Sequence, residues 1–94
     1  MTLEQRIHDG SRAREILDNE QFSAAFDAIE NELVETWKQS PQRDAEGREK
    51  LFLYISLLGK VKSQLVSTIE TGKLAQLELE HKRTLLDRAR EWME

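Results

Sequence analysis

From Leu51 to Met93 the chain reads LFLYISLLGKVKSQLVSTIETGKLAQLELEHKRTLLDRAREWM, and this stretch decides the fold. An apolar residue returns at every seventh position, Leu51, Leu58, Leu65, Leu79, Leu86 and Met93, with Gly72 as the one interruption. Three residues after these positions stand Tyr54, Val61, Thr68, Ala75, Lys82 and Ala89. Apolar residues at alternating spacings of three and four make a narrow stripe on a helix, and a second helix must cover such a stripe. The spacing predicts one long helix over 44–93, or two helices in tandem if Gly72 closes the first. The heptad stays in phase across Gly72, which favours continuity. An uninterrupted helix of that length would measure about 75 Å.

Working back from Leu51, Asp44 is placed to cap this helix, and Ser40-Pro41 ends the one before it, because proline pushes its predecessor out of the helical region. Phe22, Phe26, Ile29, Leu33 and Trp37 share one face of that earlier helix, which Asn19 or Asp18 can cap. The short connection at 41–44 predicts an antiparallel hairpin in which Phe26, Ile29 and Leu33 meet Leu51, Ile55 and Leu58. Burial should be greatest at 51–58, where Phe52, Leu53 and Leu57 add a second apolar flank. Gly59 would let a neighbouring helix cross closely. Residues 3–18 form a weaker helix carrying Leu3, Ile7, Ala13, Ile16 and Leu17. Gly10 would fray its first turns, since glycine costs about 1 kcal/mol inside a helix.

The expected fold class is therefore all-α, a helical hairpin with a long C-terminal helix that oligomerises through a heptad-like seam. Its 94 residues make one small helical domain, 1–40 supplying two helices. Helix two cannot reach the far seam, so Leu65, Leu79, Leu86 and Met93 are the expected oligomer interface. Trp37 and Trp92, near helix ends, suit either an interface or the closing of a bundle. No cysteine is present, so disulfides and thiolate metal sites are excluded. The polar start, and the lack of any apolar run of membrane-spanning length, predict a soluble cytoplasmic protein without a membrane partner.

The net charge of −4 is unevenly placed. Between 20 and 40, Glu20, Asp27, Glu30, Glu32 and Glu35 face only Lys38, whereas 73–94 is balanced. An acidic chain is poorly suited to binding nucleic acid one subunit at a time. Lys60 and Lys62 form one basic pair, and Lys82, Arg83, Arg88 and Arg90 are the better candidates for phosphate contact. They are interleaved with Glu80, Asp87 and Glu91, so ion pairs within the helix compete with that role. His8 and His81 stand alone, and Glu78 with His81 is too small a set for a metal. None of the six serines lies in a nucleophile elbow, and no glycine-rich phosphate loop occurs. The pattern predicts a protein that is no enzyme and needs no cofactor.

Arg14-Glu15-Ile16-Leu17-Asp18-Asn19-Glu20-Gln21-Phe22, Ala25-Phe26, Ile29-Glu30, Arg48-Glu49-Lys50-Leu51 and Glu70-Thr71-Gly72-Lys73 together resemble small helical proteins of tailed bacteriophages and prophages. Those proteins belong to head-assembly and DNA-packaging regions, and the likeness covers most of residues 12–75. Small terminase subunits are the nearest functional class. The resemblance implies a helical ring-former that engages viral DNA and a packaging motor subunit. Members with a DNA-binding helix-turn-helix place it first, and here residues 1–40 are acidic and make no convincing one. The other reading is a small acidic regulator whose Glu30, Glu32 and Glu35 mimic phosphates toward a host protein.

Overall fold

The computed structural model describes residues 1–93, and among these the secondary structure is entirely helical: α1 (Leu3–Asp18), α2 (Glu20–Gln39) and α3 (Ala45–Met93). The all-α fold with a long C-terminal helix is thus present. Side chains mark each start. Gln5 N–H donates to Thr2 Oγ1 at 3.1 Å while Thr2 N–H donates back to Gln5 Oε1 at 2.9 Å, a reciprocal capping box. Asn19 Oδ1 accepts from Phe22 N–H at 2.9 Å and opens α2; Asp44 Oδ1 accepts from Gly47 N–H at 3.1 Å and opens α3.

Two compact units divide the chain. The first comprises residues 1–14 and α3 from Leu65 on. Here α1 runs antiparallel to α3, with Gly10 against Thr68 and Gly72 and Arg6 against Gly72. A Cβ on Gly10 would stand 3.0 Å from Gly72 Cα and 3.2 Å from the Thr68 carbonyl oxygen, so a side chain at this point would hold the backbones apart. Gly10, Ala13, Gly72 and Ala75 are the buried residues of the contact. Gly10 therefore does not fray α1, which is continuous, and Gly72 does not end α3. Both glycines give up helix propensity in exchange for close approach.

The second unit is Glu15–Gln64. Its α2 lies antiparallel to the start of α3: Lys62 Nζ sits 5.7 Å from the centre of the Phe26 ring, and Arg48 lies 4.7 Å over Trp37. Phe22 stacks at a tilt on Phe26, centroids 5.9 Å apart. Arg48 Nη1 also donates to the carbonyls of Trp37 (3.2 Å) and Ser40 (3.1 Å) and to Ser40 Oγ (2.8 Å). A cation on the last carbonyls of α2 meets the negative end of that helix and ties the hairpin at its loop. At the other end Ser23 Oγ donates to the Leu17 carbonyl at 3.0 Å, satisfying an acceptor that α1 leaves open.

Burial departs from the sequence expectation in three places. Phe26 is buried and Leu33, Leu51, Ile55 and Leu58 are half-buried, but Ile29 is exposed. Phe52, Leu53 and Leu57 are exposed as well, so 51–58 is not the best-covered part of α3. Two helices bury one stripe each, and a second flank stays wet unless a further layer arrives. Finally, nothing approaches within 4 Å of where a Cβ on Gly59 would lie, so no helix crosses there.

Candidate protein-interaction surface

The strongest chemical feature of the chain is apolar side chains that its own fold leaves in water. Among the described residues Ala13, Phe26 and Ala75 are the buried hydrophobic ones, and none of the described side chains is completely enclosed. Against them stand Tyr54, Leu57, Val61, Leu74, Leu77, Leu85, Leu86, Trp92 and others, all exposed. Singly such residues need no explanation; in contiguous stretches they mark interaction surfaces.

Along the far seam, Leu65 and Leu79 are half-buried and belong to the unit that α1 completes. The α1 contact shown in that unit is with Thr68 and Gly72, between these two positions. Leu86 is 61% exposed and Met93 85% exposed. Leu85, Leu86, Trp92 and Met93 crowd one side of the last turns of α3, with half-buried Ala89 between them. Trp92 does not close a bundle within the chain, whereas Trp37 does sit at the closed end of the hairpin, under Arg48.

The basic candidates Lys82, Arg83, Arg88 and Arg90 lie on the same terminal turns, and all four are exposed. Lys82 reaches Glu78 at 3.8 Å, a solvated pair of small energetic value that leaves the ammonium accessible. Of the earlier pair, Lys60 is exposed, and Lys62 lies over the Phe26 ring. On α2, Glu30, Glu32 and Glu35 are exposed, Glu35 meeting Lys38 at 3.5 Å. Spacing puts Glu32 and Glu35 on one side of the helix and Glu30 on another, so the three do not form one acidic face.

Two clefts follow the helix contacts. A groove of about 230 Å³ follows the α1–α3 contact past Ile7, Gly10, Ile69 and Gly72, and a cleft of about 160 Å³ lies between Leu17, Phe22, Phe26 and Lys62. Among the described residues no group of three or more His, Asp and Glu side chains is placed to hold a metal ion, and no helix is long and apolar enough to cross a membrane. Sequence reading missed the Arg48 clamp and the Thr2–Gln5 capping box. The Thr-x-x-Gln spacing signals the latter, but nothing local signals that Arg48 folds back over Trp37. No protein-family model, curated protein or solved structure matches the chain.

Proposed function

We propose that this chain is a non-enzymatic assembly protein, self-associating through its long helix, of the kind that serves head assembly and DNA packaging in tailed phages. One observation carries the self-association: the heptad seam that α1 covers around Gly72 continues through Leu86 to Met93 with no cover. Apolar positions continuing in register past an intramolecular contact suit a further helix. The phage assignment rests on the sequence resemblance alone. DNA contact would come from Lys82, Arg83, Arg88 and Arg90 multiplied around an oligomer, since a single subunit is net acidic.

The test is a pair of variants. Leu86→Glu with Met93→Glu places charge in the seam, and the species in light scattering should become smaller while circular dichroism stays helical. An unchanged mass removes this seam as the interface. Lys82→Ala with Arg83→Ala should keep the mass but weaken retardation of duplex DNA and flatten its salt dependence. A confirmed oligomer that retards no DNA at low salt would leave assembly through protein partners alone. Tight binding to a basic protein, lost when Glu30, Glu32 and Glu35 become Gln, would favour the acidic regulator instead.

A further inference from the structure

Within the hairpin unit the two helices carry matching heptads that are only half used. On α2 the series is Phe22, Phe26, Ile29 and Leu33; on α3 it is Leu51, Tyr54, Leu58 and Val61. Phe26, Leu33, Leu51 and Leu58 turn toward the opposite helix of the hairpin and are covered at least in part. The positions three residues after Phe26, Leu51 and Leu58 are not: Ile29 is 49% exposed, Tyr54 54% and Val61 54%. A step of three residues rotates a side chain by about −60° around a helix, because each residue advances by about 100°. In an antiparallel pair the same rotation on each helix points to the same side. Ile29, Tyr54 and Val61 therefore share one broad face of the hairpin, with Leu57 at its margin.

We infer that this face is covered by the same face of a second copy, the two hairpins closing into a four-helix bundle. Alternating heptad positions that face first the intrachain neighbour and then open solvent are the pattern of such a bundle with half its helices removed. A second copy brings the same apolar set, as an isologous contact requires. Charge sets the arrangement. Residues 20–39 carry five acids and one lysine, while 45–64 carry Arg48, Lys50, Lys60 and Lys62 against Glu46 and Glu49. Each α2 is thus better placed beside the partner's α3 than beside its α2.

The inference rests on the reading that the chain self-associates, though not on the C-terminal seam, and the experiment separates the two. Since the chain has no cysteine, Val61→Cys and Phe52→Cys each give a single thiol in the full-length protein. Both sites are exposed in the single chain, but Phe52 lies on the other side of the α3 stripe. Modification by a maleimide should be about tenfold slower in the V61C variant than in the F52C variant, and the difference should shrink on dilution. It should persist when Leu86→Glu and Met93→Glu are added, which disable only the other seam. Tyr54→Glu should abolish it without loss of helix content. Equal rates for the two variants across concentrations would overturn the bundle, whatever the mass of the oligomer.

Discussion

Gly10, Gly59 and Gly72 have the same intrinsic effect on a helix and opposite structural meanings. At Gly72 a Cβ would meet Gly10 Cα and the Arg6 carbonyl oxygen at 3.0 Å, both backbone atoms that cannot turn aside. At Gly59 it would meet nothing within 4 Å. Gly59→Ala should therefore stabilise the protein by about 0.5–1 kcal/mol, the propensity gain alone. Gly72→Val should lower the melting temperature, because the steric conflict with α1 adds to a poor helix former. Thermal denaturation of both variants checks this, and a rise for Gly72→Val would mean that α1 does not lie against Gly72. The sequence shows these glycines plainly but not their difference. A glycine in a heptad reads as a flaw, and only the opposing glycine, sixty-two positions away, turns it into a contact.

At the scale of the helices, periodicity and caps were legible. The Asn19 and Asp44 caps, the stop at Ser40-Pro41 and the lack of any break in the α3 register all follow from local chemistry. Which flank of each stripe is covered was not legible, because it depends on how many layers pack, and a stripe carries no label naming its partner. Phe26 is the best anchor of the hairpin, 8% exposed between Phe22 and Lys62. Phe26→Ala should cost about 3 kcal/mol, toward the lower end for a buried phenylalanine in so thin a core. Chemical denaturation measures it. A midpoint unchanged from the parent would place the ring outside the hairpin core and remove the α2–α3 contact on which the bundle depends.

Across the whole molecule, burial and apolar content do not match. The chain is 38% hydrophobic, yet the apolar residues described as buried are two alanines and one phenylalanine. A small fold with so little enclosed gains stability most readily from further copies of itself. The surface ion pairs Glu35–Lys38, Glu46–Lys50 and Glu78–Lys82 are solvated and contribute little, so they do not substitute for a core. Self-association is decided by sedimentation equilibrium or light scattering of the unmodified protein across a wide concentration range. The expected result is a defined multiple of 11.0 kDa whose helical signal melts at a temperature that rises with concentration. A stable species of 11.0 kDa at every concentration, with a melting temperature independent of it, would refute self-association.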